Sequence, residues 1–158
     1  MLEKLIKYFV YATKGNITKT QLIKFLYLAD LYSVKWTGNQ LTELDWYYYN
    51  FGLWHEDVDI VLSRMNGKEV AIERERNATL IRLGVQASNV DDLQLPVSIK
   101  LVLDNIRKEW AGSKKLPQLL NYVYNTAPML EVREKCQSGE KVRLNLQAER
   151  EKLISELG

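Results

Sequence analysis

The spacing of apolar and polar residues changes from segment to segment along this chain, and each change predicts an element. Leu2, Leu5, Ile6, Phe9 and Val10 recur at helical spacing with Glu3, Lys4 and Lys7 between them, so residues 2–13 read as an amphipathic helix ending near Gly15-Asn16. Thr18 suits the cap of the next helix. From Gln21 to Trp36 the pattern is apolar almost all round, with only Lys24, Asp30 and Lys35 charged. A helix without a polar face belongs in the middle of a bundle, which makes this the central helix, at about 18–36, with Gly38-Asn39 as its stop.

Beyond it, Asp45 to Phe51 is so rich in aromatics that an extended segment fits better than a helix. A short helix starts at Glu56, Asp57 and Asp59, whose carboxylates favour the positive end of the helix dipole, and runs to about Asn66 before Gly67. Val70 to Arg76 and Thr79 to Leu83 then form a hairpin around Asn77-Ala78, without the glycine that the tightest hairpin turns prefer. After a polar loop at 86–95, Pro96 opens a helix with Ile99, Val102, Leu103, Ile106 and Trp110 on one face, ended at Gly112. Ser113 can cap its successor, whose stripe is Leu116, Leu119, Leu120, Val123 and Tyr124, with Pro128 as its stop. A final helix at about 146–157 carries Leu153, Ile154 and Leu157. The pattern therefore predicts a mainly α fold: one domain over 1–158, a helical bundle around the central helix, and one small antiparallel β-hairpin at about 70–83.

Composition narrows the function. At 158 residues with 46% apolar residues the chain can bury a real core, and its net charge of +2 gives no overall field toward nucleic acid or an anionic membrane. The opening residues meet charge too early for a signal peptide, and the longest uncharged run, Leu116 to Leu130, contains two prolines, so neither export nor a membrane span is expected. The single cysteine, Cys136, cannot form an internal disulfide, which fits a reducing cytoplasm and makes the sequons at Asn16 and Asn77 chance matches.

Candidate chemistry is sparse. The only histidine, His55, lies far from the only cysteine, and the eight glycines are scattered singly, so neither a zinc site nor a phosphate loop is expected, and no metal or cofactor. His55-Glu56-Asp57-Val58-Asp59 is the one cluster open to a catalytic or divalent-metal reading; acidic residues in a first helical turn explain it more simply. Lys24 and Asp30, six positions apart, point about 240° away from each other around the helix and cannot pair, which leaves Asp30 to bond neighbouring backbone. The most unusual feature is Trp46-Tyr47-Tyr48-Tyr49-Asn50-Phe51-Gly52-Leu53-Trp54-His55. In an extended segment Trp46, Tyr48 and Asn50 share one face and Tyr47, Tyr49 and Phe51 the other, so some of these aromatics should reach the surface, where an interface and structural packing are equally good readings.

The order of motifs resembles a known family. Thr18-Lys19-Thr20-Gln21-Leu22-Ile23-Lys24-Phe25-Leu26-Tyr27-Leu28-Ala29-Asp30, then Thr37-Gly38 with Leu41-Thr42, then Tyr49-Asn50-Phe51-Gly52, is similar to the SocA-like antitoxin family, or Panacea domain. Leu119 to Met129, with Pro128, looks like that family's C-terminal helix and proline stop. The resemblance runs over about 5–130 and leaves 131–158 as a C-terminal extension ending in a helix. It implies a mostly helical recognition scaffold whose members, often encoded beside diverse toxins, neutralise them by binding; others belong to phages and mobile elements. Lys24, Leu26, Tyr27, Asp30, Gly38, Gly52 and Pro128 would then be structural motif positions, while Trp46, Tyr48, Asn50, Phe51, Gly52, Trp54 and His55 would meet the partner. Leu53 stands where the family commonly has proline, which loosens the turn.

Two other classes compete. A helix, a capped helix, a short helix and a charged hairpin also describe a winged-helix DNA-binding regulator, with Lys68, Arg74, Arg76 and Arg82 as phosphate contacts, but Glu69, Glu73 and Glu75 interrupt that patch. An enzyme would use His55 with Asp57 or Glu56 as base, and nothing supplies a nucleophile or oxyanion site beside it. The sequence thus predicts a non-catalytic protein that binds a protein partner, a toxin encoded nearby.

Overall fold

The structure is a computed structural model that describes residues 1–50, 52–135 and 139–158. Phe51 and Cys136 therefore lie outside the described residues. The chain is mainly helical: α1 (Leu2–Ala12), α2 (Lys19–Thr37), α3 (Glu56–Met65), α4 (Val97–Trp110), α5 (Leu116–Tyr124), α6 (Ala127–Arg133) and α7 (Gln147–Leu157). Among the described residues six short strands join them: β1 (Ile17–Thr18), β2 (Tyr47–Tyr49), β3 (Gly52–Trp54), β4 (Val70–Arg74), β5 (Thr79–Leu83) and β6 (Val142–Arg143).

Everything is arranged around α2. Thr18 and Gln21 form a reciprocal capping box at its start, which satisfies two of the backbone donors a helix N-terminus leaves free. Eleven of its residues are buried, including Leu22, Phe25, Leu26, Tyr27, Leu28, Ala29 and Leu31, because α1, α4, α5 and α7 all pack on it. Gly38 ends it in the left-handed conformation at φ 85°, where its N–H reaches the Val34 carbonyl and a Cβ would be strained.

Among the described residues two three-stranded antiparallel sheets flank the helices, where the sequence predicts one hairpin. In the first, β5 lies between β1 and β4, with Ile17 opposite Ile81 and Val70 opposite Leu83. The connection from β4 to β5 is a four-residue loop closed by the Glu75 N–H on the Ala78 carbonyl, so no turn glycine is needed. In the second sheet β2 lies between β3 and β6, with Tyr48 opposite both Leu53 and Val142. Its third strand comes from a segment almost a hundred positions away, and a two-residue strand leaves no period in the sequence to detect.

The C-terminal half differs from expectation in three places. Pro128 does not stop α5: that helix already ends at Tyr124, and Pro128 sits in the first turn of α6, where a missing N–H costs no hydrogen bond. The buried Glu149 carboxylate of α7 accepts from the Ala127 N–H at 2.8 Å and so supplies the negative charge that the start of α6 favours. Ser113 opens a single tight turn and makes no cap. The described residues of 131–158 are no loose extension either, since α7 packs on α2 and α6, and Leu144, Leu146 and Ala148 are in the core. Among the described residues no helix is long and apolar enough to cross a membrane.

Candidate functional site

Asp30 fixes the geometry around the aromatic segment. It is fully buried on α2, and its carboxylate accepts from the Leu41 N–H at 3.0 Å, the Thr42 N–H at 2.9 Å, the Thr42 hydroxyl at 2.5 Å, the Gln40 amide at 3.2 Å and the Trp46 indole N–H at 3.0 Å. Burial pushes its carboxyl above the usual carboxylate range, while the bonds from Thr42, Trp46 and Leu41 pull it back. The expected backbone partners are there, and side chains add to them. One carboxylate thus pins the whole loop 40–46 to the central helix and delivers Trp46 into the core.

That anchoring decides which aromatics face inward. Trp46 and Tyr48 are buried at 1% and 5% exposure, with the Trp46 ring edge-on to Tyr27 at 5.6 Å and to His55 at 5.2 Å. Both were expected to meet a partner; their burial makes them core residues. His55 is buried as well, and its Nδ1 accepts the Asp57 N–H at 3.0 Å, so it caps α3. Burial lowers the His55 pKa against the pull of Asp57 and Asp45, which keeps the ring a neutral acceptor.

The opposite face of β2 and β3 points outward. Tyr47 and Tyr49, both half-buried, flank Trp54 with ring centroids 6.0 Å away on either side, near-perpendicular in each case. Lys141 reaches back across this face, its ammonium 4.0 Å from the Trp54 centroid and 4.4 Å from that of Tyr47. Beside it, Arg143 donates to Asp45 at 2.6 Å. A pocket of about 200 Å³ opens next to the two rings, lined by Glu43, Asp45, Glu56 and Asp57 as well as Lys141. The outward-facing aromatics are therefore Tyr47, Tyr49 and Trp54. Of these only Trp54 was singled out from sequence, because alternation alone does not say which face is inner.

Asn50 forms the turn between β2 and β3 in the left-handed region, at φ 50°, which asparagine tolerates. Gly52 follows because a Cβ there would lie 3.2 Å from the Tyr124 hydroxyl of α5. Leu53, paired opposite Tyr48, keeps the extended backbone that a proline would impose. Lys24 approaches the same tyrosine from α2, its ammonium 5.8 Å from the Tyr124 ring centre. Only 7% exposed and without an ion pair among the described residues, it has its pKa lowered by burial. Lys24, Gly52 and Tyr124, which the sequence reading kept apart, thus converge behind the aromatic turn. Tyr27, from the same motif, shares a 2.8 Å hydrogen bond with Thr126 at the junction of α5 and α6.

The motif positions that meet in this way fall inside one comparison. The family model described as antitoxin SocA-like, Panacea domain, matches residues 22–154. The chain belongs to the SocA-like antitoxin family. The Panacea match runs through β6 and α7, so it includes the segment that sequence reading set outside the family. No curated protein and no solved structure matches the chain.

This Panacea domain has a second open surface that its sequence concealed. Trp36, read as part of a helix buried all round, is 64% exposed at the end of α2 and lines a cleft of about 610 Å³ with Tyr32, Val102 and Tyr122. Its position in the last turn of α2, two residues before the Gly38 stop, was the available signal. On the first sheet, the guanidinium of Arg82 is held by Glu73 at 3.0 Å, by the Asn16 side chain at 3.1 Å and by the Gly15 carbonyl at 3.3 Å.

Proposed function

We propose that this protein is an antitoxin that neutralises a partner toxin by direct protein–protein contact in the cytoplasm and catalyses no reaction of its own. The observation that carries the reading is the outward face of β2 and β3 in a chain that belongs to the SocA-like antitoxin family: Tyr47, Tyr49 and Trp54 present their rings on a sheet whose other face is locked into the core through Trp46 and Asp30. Aromatic side chains held rigidly at a surface lose little conformational freedom on docking, and such residues contribute much of the binding energy of protein interfaces. Asn50, exposed at the tip of the turn, adds an amide beside the rings.

DNA binding has weaker support. Of the four basic residues assigned to the hairpin, Arg82 spends its guanidinium on Glu73, Asn16 and the Gly15 carbonyl, and Lys68, Arg74 and Arg76 alternate with Glu69, Glu73 and Glu75. Affinity for phosphates needs several uncompensated cations.

The test is rescue. Cells expressing the toxin encoded beside this gene should survive when the parent protein is co-expressed and lose that protection with Trp54→Ala at equal soluble protein level. Full protection by Trp54→Ala and by Tyr49→Ala would overturn the reading of this face as the contact surface. Sequence-specific binding of duplex DNA at sub-micromolar protein, with a steep salt dependence, would favour the regulator instead.

A further inference from the structure

The ammonium of Lys141 rests on two aromatic rings, 4.0 Å from the centre of Trp54 and 4.4 Å from that of Tyr47, within the range where a ring's quadrupole attracts a cation. Nothing else ties it there, since Lys141 is exposed and has no carboxylate within ion-pair distance among the described residues. The strand that follows it, β6, is anchored further on, through the Leu144 N–H on the Trp46 carbonyl at 2.8 Å and through buried Leu144 and Leu146. The Lys141 side chain can therefore swing away while β6 stays in place.

The groove it would vacate is built for a cation. Four carboxylates, Glu43, Asp45, Glu56 and Asp57, line the pocket beside the rings; among the described residues Lys141 is the one cation in that lining and Arg143 pairs with Asp45 at its edge, so negative charge is in surplus. His55, on the same wall, adds no positive charge because burial keeps it neutral. We infer that the groove between Tyr47 and Trp54 is a docking site for a lysine or arginine side chain of the partner protein, and that Lys141 is a resident stand-in which the incoming cation replaces. The inference rests on the reading that this protein acts by binding another protein, and it adds the chemistry of one contact: basic on the partner, aromatic and acidic here. A self-held lysine keeps the rings covered in the free protein, which lowers the exposed aromatic area until a partner competes for it.

The site can be tested without the toxin. The Trp54 indole resonance, assigned by its loss in Trp54→Ala, is followed in NMR titrations with the peptide acetyl-Gly-Lys-Gly-amide and with its glutamate counterpart. The lysine peptide should give a saturable shift of Trp54 in Lys141→Ala, about two- to fivefold weaker in the parent, where the peptide must displace a weak exposed cation–π contact. The glutamate peptide should give none, and the buried Trp46 resonance should stay still as the sign of an intact fold. No saturable shift in Lys141→Ala, or equal shifts with both peptides, overturns the inference. With the toxin in hand, Lys141→Ala should bind about two- to fivefold more tightly than the parent; weaker binding would make Lys141 itself the contact and contradict the stand-in role. A protein that takes the lysine peptide but no toxin keeps this site and defeats the antitoxin reading, while toxin binding without any peptide response does the reverse.

Discussion

The two small sheets are alike in size, strand number and antiparallel pairing, yet their outward faces are opposites. The first sheet shows charge, with Arg82 paired to Glu73 and Arg74 exposed at the end of β4. Arg82 is held by Glu73, and Arg74 and Arg76 alternate with Glu73 and Glu75, which gives a solvated edge that discourages strand addition and leaves little field for a partner. On the second sheet Tyr47, Tyr49 and Trp54 stand outward beside a surplus of carboxylates, with only Lys141 laid over the rings. Topology is therefore silent about function here, and the outer face of each sheet carries the distinction.

The largest effect should come from crossing the second sheet to its inner face. Trp46→Ala removes a fully buried ring and leaves Asp30 without one of its donors, so it should cost about 3–5 kcal/mol in denaturant unfolding. Trp54→Ala and Tyr49→Ala, on the outer face, should stay within about 1 kcal/mol of the parent. If inner and outer substitutions destabilise equally, the two faces are not distinct and the comparison breaks.

A smaller effect should appear with pH. The folded-state pKa of His55 lies below its unfolded value, so below about pH 6.5 the unfolded chain binds the proton more readily and stability falls as pH decreases. His55→Asn, which retains a capping acceptor at the start of α3 but does not titrate, should lose less stability than the parent between pH 7 and 5. Identical pH profiles would remove His55 from that role. Smallest of all, Arg74→Glu with Arg76→Glu on the first sheet should leave both melting temperature and toxin rescue close to those of the parent, because both residues are exposed and neither makes an ion pair among the described residues.

Much of the helical framework was legible in the sequence because long apolar periods and caps announce it: Thr18 marked the start of α2 and Gly38 its end, each within a residue or two of the observed bounds. The tertiary assignments were not. Asp30 was expected to bond backbone, but no local rule could say that it would also take the Trp46 indole and so turn Trp46 and Tyr48 inward. Alternation gave two faces without naming the inner one, and that choice buried Trp46 and Tyr48 and turned Tyr47, Tyr49 and Trp54 outward. Pro128 was read as a stop because proline both ends and begins helices, and only the buried Glu149 at the Ala127 N–H marks a beginning. The return of β6 to β2 joins residues too far apart for any periodicity to signal.

The central claim is that the aromatic face of the second sheet holds the partner, and the direct measurement is calorimetric affinity for the proposed toxin partner, with one variant on each sheet. Trp54→Ala should weaken binding roughly thirtyfold, about 2 kcal/mol, while Arg74→Glu with Arg76→Glu should change it less than about threefold. Equal affinity for parent and Trp54→Ala, or a loss confined to the first-sheet variant, would contradict the account.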